Sequence, residues 1–121
     1  MKALVVDDSM TIRRIVIKAL QLVGINETAE AADGTEAVTA MSGGEFDIVL
    51  MDWNMPKMSG IDALKAIRAT GKRTPIIMVT TEAEKTRVIE AIKSGANDYL
   101  IKPFSPEQLA AKVKNALGVA V

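Results

Sequence analysis

No cysteine and no histidine occurs among the 121 residues. The absence of thiols excludes disulfides, thiol nucleophiles and thiolate metal sites, and the absence of imidazole removes the commonest general base and the usual zinc ligand. Chemistry is left to the oxygens of Asp, Glu, Ser and Thr and to the lysine amine. An excess of charge is also missing. Lys+Arg and Asp+Glu stand at 15 each, so no bulk attraction to nucleic acid is expected. Long apolar runs are missing too. Only Ala3 to Val6 precede Asp7, too few for a signal-peptide core, and no run approaches the ~20 residues that a membrane-spanning helix needs. A cytoplasmic protein with no membrane insertion is expected. Without linkers or low-complexity tracts, the chain reads as one domain over residues 1–121 with a single core and no output domain.

What is present alternates. Short runs rich in Val, Ile, Leu and Met are separated by longer runs whose apolar residues recur three and four apart, the pattern of a βα repeat around a parallel sheet. The runs Ala3 to Val6, Ala29 to Ala32, Ile48 to Met51, Ile76 to Val79 and Tyr99 to Ile101 read as five strands. Ile12, Ile15, Val16, Ala19, Leu20 and Val23 share one helical face, which Gly24 ends. Thr35 to Met41 forms a second helix, stopped by Ser42-Gly43-Gly44. Ile61, Leu64 and Ile67 mark a third, and Val88, Ile89 and Ile92 a fourth closed at Gly95. The fifth opens on Ser105-Pro106-Glu107-Gln108, an N-cap serine with a capping-box glutamine, and carries Leu109, Val113 and Leu117. The fold class is therefore α/β, a three-layer α/β/α sandwich.

Each polar residue with chemical potential ends a predicted strand: Asp7 and Asp8 the first, Asp52 the third, Thr80 and Thr81 the fourth, Lys102 the fifth. In open α/β sheets ligands bind along this edge. The order 2-1-3-4-5, known from flavodoxin-like folds, opens a crevice between strands 1 and 3 and brings three carboxylates into it. Crowded carboxylates repel unless a cation sits among them, and an all-oxygen donor set favours Mg²⁺ or Mn²⁺. Mg²⁺ commonly leaves ligand positions for phosphate oxygens, so a phosphoryl group is the natural guest. A carboxylate can attack a phosphoryl donor to give an acyl phosphate; Asp52 is the candidate nucleophile, and Lys102 the second cation.

The segments VVDDS, LMDWNMP, MVTTE and YLIKPF, in this order, resemble the receiver domain of two-component response regulators across essentially the whole chain. DDSMTIRRIV, DWNMPKMSG, IRATG and MVTTEAEK resemble most the single-domain regulators of chemotaxis. The resemblance implies that Asp52 accepts a phosphoryl group from a histidine kinase. It further implies that Asp7, Asp8, Asp52 and the backbone carbonyl of Asn54 hold Mg²⁺, and that Lys102 pairs with the phosphoryl oxygens. Thr80 is then the switch hydroxyl, Tyr99 the aromatic that turns inward, and Lys102-Pro103 a cis bond. Asn54 and Glu82 would help orient water for self-dephosphorylation. A downstream protein would bind the face of helix 4, strand 5 and helix 5, with Lys85, Val88, Tyr99, Ile101 and Lys112 among the contacts. A monomer is expected, acting as a phosphoacceptor and not as a turnover enzyme. Thr81 is bulkier than the residue usual beside the switch threonine.

Plainer readings exist for single residues. Asp8 or Ser9 can cap helix 1, an aromatic such as Tyr99 commonly packs, and Lys102 can be a solvated lysine. Coincidence at four strand ends argues against taking them singly. Lys57, Arg68, Lys72 and Arg73 read as scattered surface charge; Met41, Met51 and Met78 read as core filling, with Met55 and Met58 open. A phosphohydrolase of the haloacid dehalogenase type uses a similar residue set, but its nucleophile follows strand 1 as DxDx[TV], where this chain has Asp7-Asp8-Ser9. A flavin carrier needs a first loop of hydroxyls and amides around phosphate, where this chain puts two carboxylates.

Overall fold

Alternating side chains cover both faces of every central strand, and this makes the sheet. The computed structural model describes residues 1–81 and 85–118. Five strands, β1 (Lys2–Val6), β2 (Glu27–Ala31), β3 (Ile48–Asp52), β4 (Ile76–Thr80) and β5 (Asp98–Ile101), alternate with helices α1 (Met10–Leu22), α2 (Gly34–Gly43), α3 (Gly60–Ala69), α4 (Lys85–Lys93) and α5 (Pro106–Leu117). The strands run parallel in the order β2-β1-β3-β4-β5. Leu4, Val6, Val49, Met51, Ile76 and Met78 pack on one face against Ala37 and Met41 of α2, Leu64 and Ile67 of α3 and Ala91 of α4. Ala3, Val5, Ile48, Leu50, Ile77, Val79 and Leu100 pack on the other against Val16 and Leu20 of α1 and Leu109 and Val113 of α5. Near-continuous apolar strands are what a sheet buried on both sides requires.

Boundaries follow local chemistry. Ser9 caps α1 by accepting from the Ile12 amide, so the serine and not Asp8 is the cap. Asp33 caps α2, Ser59 caps α3, and Ser105 forms the expected capping box with Gln108. Gly24 and Gly95 adopt left-handed φ of 84° and 109° just past α1 and α4, where a side chain would be strained. The Lys102-Pro103 bond is cis, as the resemblance implied.

Two expectations need correction. The edge strand β2 begins at Glu27 and ends before Ala32; its sequence ETAEA is polar because only one side of it is paired. Ile15, placed on the buried face of the first helix, is 40% exposed at the rim toward Phe104. The fourth helix, marked by Val88, Ile89 and Ile92, stands at Lys85–Lys93; Ile89 and Ile92 are 42% and 47% exposed, and among its described side chains the buried one is Ala91. Met41, Met51 and Met78 are core residues as expected, and Met55 and Met58 pack against its margin.

The glycine that opens α3 sits where the helix must touch the end of β3. The Gly60 amide donates to the Trp53 carbonyl at 2.8 Å, and a Cβ there would overlap the carbonyl oxygen of Asp52. Gly43, by contrast, has open space around its would-be Cβ. Gly60→Ala is expected to lower unfolding free energy by about 2–3 kcal/mol, whereas Gly43→Ala is neutral or stabilising by up to about 1 kcal/mol. Urea midpoints of the two variants check this, and equal stability of both would remove the steric argument.

Candidate functional site

Parallel register brings the strand ends to one edge. Val6 lies opposite Met51, Asp52 opposite Val79 and Thr80 opposite Ile101, so Asp7, Asp52, Thr80 and Lys102 follow or close four neighbouring strands. Backbone hydrogen bonds continue past the strands and hold those ends. The Asp7 amide donates to Ala31, Trp53 to Val79, and Lys102 to Thr80, at 3.1, 3.1 and 2.8 Å. Backbone position at this edge is therefore set by the sheet.

Asp7, Asp52 and Thr80 are buried, and Asp8 is exposed at the mouth. Carboxylate oxygens of Asp7, Asp8 and Asp52 lie within 4.8 Å of one another. The Lys102 ammonium joins two of them, 2.9 Å from Asp7 Oδ2 and 3.1 Å from Asp52 Oδ1. Asp52 Oδ1 also accepts from the Trp53 amide at 3.0 Å, and Asp7 Oδ1 from the Ser9 amide at 2.9 Å. These donors fix both carboxylates in orientation as well as in place.

Charge at the edge is unbalanced. Burial, then the neighbouring Asp7 charge, raises the Asp52 pKa above the usual carboxylate value, and Lys102 opposes this only in part. Burial alone would depress Lys102, but its hydrogen bond to Asp7 and the charges of Asp52 and Asp7 outweigh it and raise its pKa. Three carboxylates against one ammonium leave room for a further positive charge. The donors are all oxygen, two are ordered by hydrogen bonds, and one faces solvent, a set that fits a hard divalent cation.

A family model for the response regulator receiver domain matches residues 3–114. The chain belongs to that family. This receiver domain is 47% identical over 116 residues to the chemotaxis protein CheY of Pseudomonas aeruginosa, covering 94% of each chain. It is 45% identical over 121 residues to CheY1 of Helicobacter pylori, covering 98% of each. Among solved structures, Vibrio cholerae CheY4 superposes with a TM-score of 0.89 at 42% identity over 96% of this chain and 98% of that one. The receiver domain of Francisella response regulator 1452 gives 0.90 at 35% identity over 97% and 96%.

The remaining sequence-derived positions fall as follows. Thr80 closes β4, buried at the edge; Thr81 and Asn54 are exposed. Tyr99 is half-buried on β5, with the Lys112 ammonium 5.0 Å from its ring centroid and paired to Asp98 at 3.0 Å. Glu82 lies outside the described residues. No helix among the described residues is long and apolar enough to cross a membrane.

Several contacts have no signature in the sequence. Arg13 on α1 donates to the Asp7 backbone carbonyl at 2.6 Å and to Glu30 at 2.8 Å, bracing the loop that carries both acidic residues. Arg68, read as surface charge, is half-buried, and its three hydrogen bonds go to the Gly95 and Lys72 carbonyls and to the Asn97 side chain. Lys57 has a left-handed φ of 65° and reaches the buried Asp33 at 3.8 Å, tying the loop after β3 to the start of α2. Arg68, whose acceptors are all neutral, leaves no charge pattern to find, and the carboxylate partners of Arg13 and Lys57 lie on other elements at no regular spacing.

The raised Asp52 pKa fixes a sign. The folded state binds this proton more tightly than the unfolded chain, so the contribution of Asp52 to stability declines as pH rises from the ordinary carboxylate value through the folded-state value. In metal-free buffer, Asp52→Asn is therefore expected to melt a few degrees above wild type at pH 7 and to lose that advantage at pH 3. Calorimetry across this range checks it, and an advantage that does not shrink on acidification would count against an electrostatic origin.

Proposed function

We propose that this protein is a response regulator of chemotaxis type, in which Asp52 accepts a phosphoryl group from a histidine kinase and the change is read by a downstream protein. The observation that carries the reading is the single ammonium of Lys102 bridging Asp7 and Asp52, residues 95 and 50 positions away in the chain. The high identity to chemotaxis proteins over nearly the full length supports the class. On this reading the protein is a phosphoacceptor and not a turnover enzyme, acts in the cytoplasm, and contacts its target through α4, β5 and α5.

In the transfer, an Asp52 carboxylate oxygen attacks phosphorus and the phosphorus–nitrogen bond to the donor imidazole breaks. A carboxylate bent toward one orientation by the Trp53 amide and Lys102 pays less entropy to reach that geometry. Lys102 faces the position where phosphoryl oxygens would gather and offsets their charge. Asp7 and Asp8, with Asp52 and the Asn54 carbonyl, are the residues that would hold Mg²⁺. When bound, Mg²⁺ supplies charge neutralisation and alignment of the transferring oxygens. The Thr80 hydroxyl, at the end of the adjacent strand, is the group we assign to sensing the product, with Tyr99 following and Glu82 aiding hydrolysis.

Trp53, the only tryptophan, adjoins Asp52 and reports on it. Emission is expected to change saturably with Mg²⁺ and again with acetyl phosphate, with intact mass gaining one phosphoryl group. Asp52→Asn loses the second change and the mass gain, and Lys102→Ala slows phosphorylation by about a hundredfold. Absence of any mass gain in wild type, with Mg²⁺ and donor present, would falsify the proposal.

A further inference from the structure

We infer that Arg87 is a positioning residue that couples α4 to the strand end carrying Asp52, an inference that rests on the phosphoacceptor reading above. α4 is held unlike the other helices. Among its described side chains only Ala91 is buried, with Arg87 and Val88 half-buried and Ile89 and Ile92 turned outward. Its C-terminal end is fixed. The Ala96 amide closes back onto Ala91, and Arg68 reaches across from α3 to the Gly95 carbonyl at 3.0 Å. Midway, Glu90 meets Lys65 at 3.6 Å, but both side chains are about half exposed, and a pair of that kind holds little.

Toward the N-terminal end the guanidinium of Arg87 lies 5.1 Å from the centre of the Trp53 ring. That ring is 4% exposed and packs in the core on the α3 side of the sheet. It also belongs to the residue whose amide donates to Asp52 Oδ1 and whose carbonyl accepts from Gly60. A change at the Asp52 carboxylate thus acts directly on the Trp53 backbone, and the ring is the surface against which Arg87 of α4 rests. A cation against a largely desolvated tryptophan face is a strong member of its class of contact. With its C-terminal end tied by Arg68, α4 has in Arg87 the contact that senses the strand.

Hydrogen exchange of the α4 amides tests this in the intact protein, with and without Mg²⁺ and acetyl phosphate. Arg87→Met keeps the aliphatic length and removes the cation, and Arg87→Lys keeps a cation. In Arg87→Met the amides of Ile89–Lys93 are expected to exchange about fivefold faster before phosphorylation and to lose their response to the phosphodonor. Arg87→Lys restores part of both. The rate of phosphoryl gain by mass stays at the wild-type value in each, and Trp53 emission shifts in the methionine variant. Wild-type exchange in Arg87→Met, a full-sized phosphodonor response there, or identical behaviour of the two variants overturns the coupling. A wild type that takes up no phosphoryl group fails at the earlier step, and mass alone distinguishes that outcome.

Discussion

The reach of one lysine governs the geometry of the sheet edge. Parallel strands stand about 4.8 Å apart, so the end of β5 is two spacings from β3 and three from β1, on the order of 10 and 14 Å in a flat sheet. Lys102 nevertheless touches carboxylates that follow or close both of those strands. This needs the full length of its side chain, carboxylates that lean toward it, and a twist that draws strand ends together. A shorter side chain at position 102 could not join them. The ammonium in turn lowers the repulsion that would otherwise set Asp7 against Asp52. The hydrogen bond from the Lys102 amide to Thr80, continuing the ladder one step past β5, holds the base of that long side chain.

From that bridge outward the molecule divides by how firmly it is held. β3 and β4 are buried at every position, and the start of α3 approaches Asp52 so closely that only glycine fits at Gly60. α4, by contrast, offers the core one alanine among its described residues. Elements with few buried apolar contacts open at lower free-energy cost than core strands. A rigid edge suits a reaction that depends on fixed oxygens, and a loosely seated helix beside it suits a response that must move. Arg68 and Arg87 set where that freedom lies, since one anchors the end of α4 far from the reactive edge and the other touches the residue next to Asp52.

The sheet was legible because its central strands are nearly all apolar and the helices α1, α2, α3 and α5 open on caps with a definite physical role. Asp7, Asp8, Asp52 and Lys102 were legible as a set because they repeat one position, the strand end, and register carries that position to one edge. β2 was harder, since an edge strand need not be apolar and Glu27, Thr28 and Glu30 carry no alternation. Ile89 and Ile92 mark α4 yet stay exposed, because periodicity identifies a stripe and not how much of it is covered. The contacts of Arg13, Arg68 and Arg87 leave no pattern in the sequence, because they go to backbone carbonyls, an amide side chain, an aromatic face and, for Arg13, one carboxylate on a different element.

The imbalance at the edge has a direction. In the absence of a further cation the fold carries a buried carboxylate whose pKa is raised by desolvation and by Asp7, so ionised Asp52 is a local source of instability. Any cation that binds the three oxygens is stabilised by the same repulsion that it relieves, which links binding to folding through mass action. A phosphoryl group on Asp52 would replace one negative charge by nearly two and carry them further from the strand. Lys102, now shared between Asp7 and Asp52, would be drawn toward the larger charge. The Trp53 amide, bonded to Asp52 Oδ1, would feel the change within one residue. The charge that makes the site costly to fold is thus the charge that makes it responsive, and the contact between Trp53 and Arg87 offers a route by which that response reaches α4.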